Sequence, residues 1–203
     1  MPFLNEITES LNNHWQSKLS EKLSENVQVR FFGIAETIVE PFDTTNGQML
    51  KKYPAIINAN GDAVIGDNRY SMIDLDDDYA LTIYHRLESI ANSVSKVGFG
   101  DNAGDLIETA NLALLAFAFR KDVNYASYDL EAILKDSIPT SQKITKDQKV
   151  VQVSKFKVGN SSFDKLQLLA REYAEIEVNF PDLIAFEMKY QIESTWKKGC
   201  LSN

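Results

Sequence analysis

Leu183-Ile184-Ala185-Phe186-Glu187-Met188-Lys189-Tyr190-Gln191-Ile192-Glu193 carries the cleanest periodicity in the chain. Ile184, Phe186, Met188, Tyr190 and Ile192 fall on one side, and Ala185, Glu187, Lys189, Gln191 and Glu193 fall on the other. A period of two is that of a β-strand with one buried and one wet face. One-sided burial points to an antiparallel sheet, whose other strands must lie earlier in the chain. The expected fold class is therefore α+β, a mainly antiparallel sheet with an N-terminal amphipathic helix and one or two further helices packed on it.

The N-terminal helix follows from Phe3, Leu4, Ile7, Leu11, Trp15, Leu19 and Leu23, which recur at steps of three and four. Asn26 ends it, and a β-rich run follows from Val27 to Glu40, with Gly33 placed for a bulge or bend. Pro41 to Lys52 reads as a connection turning at Asn46-Gly47. Tyr53 to Ile57 and Ala63 to Ile65 flank Asn60-Gly61, a hairpin signal. Tyr79 to Leu87 alternates again, with Leu81, Ile83, His85 and Leu87 on one face and Ala80, Thr82, Tyr84 and Arg86 on the other.

Ser89 to Ala103 reads as a loop. Leu106 to Arg120 is open between two readings. Asp105 and Glu108 suit a capping box with a helical stripe of Ile107, Ala110, Leu114, Leu115 and Ala118; Leu112 to Phe119 also alternates and is apolar on both faces, as a central strand requires. A strand is preferred for the second half, because the sheet needs a buried middle. Tyr128 to Ser137 predicts a short helix ended by Pro139, and Thr140 to Lys149 a polar connection. Val150 to Val158 predicts a strand; in Phe163 to Tyr173 the spacing of Leu166, Leu169 and Tyr173 suggests a helix, with an extended reading also open. No repeat or linker divides residues 1–203, so a single domain is expected.

The 203 residues carry a net charge of −8. That balance argues against a nucleic-acid groove, which needs clustered Lys and Arg. Cys200 is the one cysteine, so the sequence has no intrachain disulfide and no thiol metal cluster of its own. The first residues lack the basic and apolar regions of a signal peptide, and the longest apolar run, Leu112 to Phe119, is too short to span a bilayer. Folding in a cytoplasm, with no membrane partner, is the expectation.

Candidate chemistry is sparse. Asp74, Asp76, Asp77 and Asp78, with Asp67 and Asn68, form the densest group of oxygen ligands, of the hard type that calcium takes. The run departs from an EF-hand, because the glycine position counted from Asp74 holds Tyr79, and strand alternation splits the carboxylates between faces. The expectation is a solvated acidic turn. His85 sits within an apolar strand face and is expected to be a satisfied core histidine, and His14 a boundary residue beside Trp15. Gly98-Phe99-Gly100-Asp101-Asn102-Ala103-Gly104 lacks the spacing of a dinucleotide fingerprint and the Gly-Lys-Ser/Thr ending of a phosphate loop. No catalytic, cofactor-binding or metal residue is assigned, and a non-enzymatic protein is expected.

The order of elements, with the phrases Lys52-Tyr53-Pro54, Asp77-Asp78-Tyr79-Ala80-Leu81-Thr82-Ile83-Tyr84-His85-Arg86 and Ile184 to Glu193 running into Trp196-Lys197-Lys198-Gly199-Cys200-Leu201, resembles the small tail-terminator and head-to-tail completion (neck) proteins of tailed bacteriophages. The resemblance implies an α+β subunit of the virion, assembled in a bacterial host cytoplasm, that joins copies of itself in a ring at the tail/neck junction. It also implies contact with other neck or tail proteins, and DNA passing nearby without specific binding. Under that reading Asp74 to Asp78 would face the lumen or a neighbouring subunit. The competing expectation is a small acidic module that uses the Asp-rich turn for a metal ion or a protein partner.

Overall fold

In the computed structural model the described residues are 4–23, 28–57, 70–75, 78–94, 106–123, 127–136, 142–146, 149–174 and 182–196. Their elements run α1 (Leu4–Lys22), β1 (Val29–Thr44), β2 (Gly47–Ile57), β3 (Tyr70–Met72), β4 (Leu81–Val94), β5 (Leu106–Phe119), α2 (Arg120–Val123), α3 (Ser127–Asp136), β6 (Gln142–Lys146), β7 (Lys149–Ser162), α4 (Lys165–Glu172) and β8 (Leu183–Trp196). The eight strands form one sheet in the order β3-β2-β1-β4-β5-β8-β7-β6. Every neighbouring pair is antiparallel except β1 with β4. The fold is α+β with an N-terminal helix.

β5 and β8 form the centre of the sheet, paired from Leu106 with Trp196 to Phe119 with Leu183. The whole of Leu106–Phe119 is strand, which settles the open choice against the helix. Both faces of this stretch are covered, so its apolar residues are needed on both sides. Ala110, Leu112, Leu114 and Ala116 pack with Leu4, Ile7, Leu11, Trp15 and Leu19 of α1 and with Leu130 and Leu134 of α3. Ala113, Leu115, Phe117 and Phe119 pack on the opposite side with Tyr84, Ile73, Leu168 and Tyr173.

Four expectations are corrected. Pro41 to Lys52 is not a connection: β1 and β2 continue through it as paired strands from Glu36 with Ala55 to Thr44 with Gly47, and Gly47 takes φ +118° at the turn. The alternation there is broken by Pro41 and Asp43, but cross-strand pairing overrides propensity. Ser89–Val94 is not loop, because β4 continues past an irregularity between Leu87 and Ser89 and stays paired with β5. Residues 142–146, read as polar connection, are the edge strand β6 against β7. On α4 the buried side chains are Leu168 and Glu172, while Leu166 is exposed.

The bend expected at Gly33 is present, since the β1–β4 register shifts between Phe31 and Ile34. The Asn60-Gly61 hairpin lies outside the described residues; among the described residues Ala55–Ile57 pair with Tyr70–Met72.

α1 is fixed to the sheet by more than its stripe. Trp15 is fully buried, its indole Nε1–H donates to the Leu134 carbonyl at 3.1 Å, and its ring stacks on His85 with centroids 5.5 Å apart. Trp15→Ala removes this packing and strands the Leu134 carbonyl. A loss of about 3–5 kcal/mol is expected in urea unfolding followed by circular dichroism.

Candidate functional site

His85 has no open side. It is fully buried, its Nε2 lies 2.8 Å from Asn12 Oδ1, and its Nδ1 lies 2.8 Å from the Tyr190 hydroxyl. Asn12 Nδ2 in turn donates to the Phe32 carbonyl at 2.8 Å. One assignment satisfies every partner: Tyr190 O–H donates to Nδ1, and Nε2–H donates to Asn12 Oδ1. The ring is therefore neutral, and burial pushes its pKa down from 6.5 to about 3. Held by Asn12 on one side and Tyr190 on the other, this histidine ties α1, β1, β4 and β8 together. His14, half-buried on α1, resolves no such network.

The face of β8 read as wet is not wet at its first half. Glu187 and Glu172 are both buried, and Arg86 pairs with Glu172 and, at 2.9 Å, with Glu187. Arg171 closes the square, with Nε 2.7 Å from Glu172 and Nη1 3.1 Å from Glu187. Burial opposes the charge on Arg171, but hydrogen bonds and the charges of the two glutamates outweigh it and hold its pKa above the ordinary arginine value. Glu88 extends the group toward solvent. Burial would raise its pKa, yet Lys189 at 3.0 Å and Arg86 at 3.4 Å hold it below the ordinary range. Two buried carboxylates are thus each held by the same two guanidiniums. This square fastens α4 to the sheet.

The Asp-rich turn is described only in part. Asp74 is exposed and its carbonyl accepts from Arg30, whose guanidinium also lies over the rings of Tyr79 and Phe32 at 4.4 and 4.9 Å. Asp67, Asn68, Asp76 and Asp77 lie outside the described residues, as do Gly98 to Gly104 and Cys200. Among the described residues no group of three His, Cys, Asp or Glu is placed to hold a metal ion. No described helix is long and apolar enough to cross a membrane.

The feature that stands apart is the β1–β2 arm. β1 pairs with β4 only from Val29 to Ala35; beyond that it has β2 as its sole described partner, out to Thr44. Ile38, Tyr53 and Ala55 still pack on the core, so the projecting part runs from Val39 to Thr44, about six residues at roughly 3.3 Å each, an arm on the order of 20 Å long. A two-stranded ribbon alone is marginal in water, and this one exposes Val39, Met49 and Leu50. Its backbone edges are blunted. Lys52 N–H donates outward to the Ala174 carbonyl, and the Pro54 carbonyl accepts outward from Ile73 N–H. By alternation, Leu50 and its partner Pro41 also turn their backbones outward, and Pro41 has no N–H to offer there. The arm presents side-chain faces rather than an open ladder.

No protein-family model matches this chain, and no curated protein matches it. Sequence reasoning missed both the arm and the ion-pair square. The one signal for the arm was Leu50 and Met49 following Asn46-Gly47, apolar residues that a solvated connection does not need.

Two outcomes follow from these networks. Unfolded His85 takes up a proton near pH 6.5 and the folded residue does not until about pH 3, so the folded state loses stability as pH falls through that window, by up to about 1.4 kcal/mol per pH unit. Between pH 6.5 and 5, urea midpoints should decline in the wild type and stay level in His85→Gln. Arg86→Met leaves the buried glutamates short of a partner, a loss of about 3–5 kcal/mol at neutral pH. It is read from urea unfolding followed by circular dichroism, and an unchanged midpoint would contradict the account.

Proposed function

We propose that this chain is a non-enzymatic structural subunit that joins copies of itself into a ring, of the phage-type kind found at a tail/neck junction as tail terminator or connector. The observation that carries the reading is the β1–β2 arm, a ribbon that reaches beyond the sheet and leaves Val39, Met49 and Leu50 in water. Exposed apolar residues on an extended element are the signature of a surface completed by another molecule. Two buried polar networks support it as well: His85 is engaged by Asn12 and Tyr190, and Glu172 and Glu187 pair with two arginines. The net charge of −8 suits a lumen past which DNA moves without sticking. The ring position and the neighbouring neck or tail proteins rest on the family resemblance.

Native mass measurement across a concentration series tests this. A closed oligomer, such as six or twelve subunits, is expected for the wild type. Replacing residues 41–50 by Asn-Gly joins the Glu40–Lys51 pair through a tight turn; this shortened protein should remain monomeric with an unchanged unfolding midpoint. A wild type that is monomeric at every concentration would favour the acidic binding module instead, and calcium calorimetry would then be the next measurement.

A further inference from the structure

Exposure alternates along the arm. Val39, Pro41 and Asp43 are exposed, whereas Glu40, Phe42 and Thr44 are half-buried, so one face of the ribbon is the open one. Cross-strand partners share a face, which puts Lys52 beside Val39, Leu50 beside Pro41 and Gln48 beside Asp43 on that open side. Its apolar members are well out in water, Val39 at 55% and Leu50 at 62% exposure. Glu40 and Lys51 belong to the other face, where they pair with each other at 3.9 Å.

The open face has an order along the arm. Lys52 lies at the root, Val39, Pro41 and Leu50 follow, and Asp43 with Gln48 lies at the tip. The Lys52 and Asp43 rows are four residues apart along the ribbon, about 13 Å at strand spacing, too far for the two charges to meet within one arm. Among the described residues neither has an ion-pair partner.

An apolar patch with a base at one end and an acid at the other is complementary to itself after a half-turn. A second copy of the face, turned over about a two-fold axis through the Pro41–Leu50 row, lays apolar side chains on apolar side chains. Its Asp43 then comes to the Lys52 end of the first arm and its Lys52 to the Asp43 end. Both charge contacts form together, and complementary charge of this kind fixes the orientation of a contact. Pro41 breaks the row of outward backbone donors, so the contact is made by side chains and not by adding a strand. Two ribbons that are each marginal alone become a four-stranded, two-layer unit with a closed apolar seam.

We infer that two copies of this chain pair arm on arm through this face about a two-fold axis, with Asp43 of each copy against Lys52 of the other. This rests on the reading of the chain as a self-assembling subunit and names its first step. The contact is isologous and stops at two, so the ring is built from dimers and holds an even number of subunits. Contacts between dimers need hold only in concert around the ring, and a chain without its arm stays monomeric.

The test uses full-length Asp43→Lys and Lys52→Asp, with circular dichroism to show that each folds. The first puts a base at both ends of the face and the second an acid at both, so each alone should lose assembly in native mass measurement. Mixed in equal amounts they should assemble again with the two variants in equal number, because every contact then joins a base to an acid. The double variant Asp43→Lys/Lys52→Asp should assemble as the wild type does. A wild-type ring of odd number, single variants that assemble as well as the wild type, or a mixture that stays monomeric overturns the inference while the ring reading stands. A wild type that stops at two, with both single variants monomeric and the mixture dimeric, supports the inference and overturns the ring. A wild type that is monomeric at every concentration overturns both.

Discussion

The sheet and its N-terminal helix depend on one buried polar chain, in which Tyr190 donates to His85, His85 to Asn12, and Asn12 to the Phe32 carbonyl. The last link explains the others. The β1–β4 register shifts between Phe31 and Ile34, and a ladder disrupted there leaves backbone groups that need other partners. An unpaired carbonyl in that position costs on the order of 1–3 kcal/mol, and Asn12 on α1 supplies the donor. His85 then holds the asparagine's oxygen, and Trp15 covers the imidazole. The irregularity in the strand is thus matched by a polar residue, Asn12, on the buried face of the helix, and it fixes where along the sheet the helix must sit.

The second face of the sheet is organised by charge. Glu172 and Glu187 are buried against Arg86 and Arg171. An apolar pair of similar volume would hold α4 as well or better, since desolvating ions is expensive. What the square adds is position: α4, at Lys165–Glu172, is too short to be stable by itself. Two arginines that each bridge both carboxylates admit few registers between helix and sheet.

Much of this fold was legible in period alone. The alternation of β8, the stripe of α1 and the two-sided apolar run of β5 each reflect a single dominant burial pattern. The failures came where a second constraint competed with that pattern. Pro41 and Asp43 are turn residues by composition, yet nine consecutive cross-strand pairs from Glu36 to Thr44 make them strand and confine the turn to Thr45-Asn46. Glu187 alternates as a solvent position and is buried only because Arg86 and Arg171 reach it from 101 and 16 residues away in sequence. The candidate assembly surface was less legible still, because it is defined by which apolar residues find no cover, and cover is a property of the whole sheet.

The place of β8 in the sheet also governs how the protein can come into being. It lies between β5 and β7, and β7 with β6 joins the rest of the sheet only through it. During synthesis β5 leaves the ribosome first, and the roughly sixty residues from Phe119 to Leu183 take several seconds to follow at about 5–20 residues per second. Through that interval the most apolar strand of the chain has β4 on one side and a bare ladder on the other. Nascent chains are therefore most prone to pair with one another before residue 183 emerges, and a cell that makes this protein in quantity has good reason to keep a chaperone at that edge.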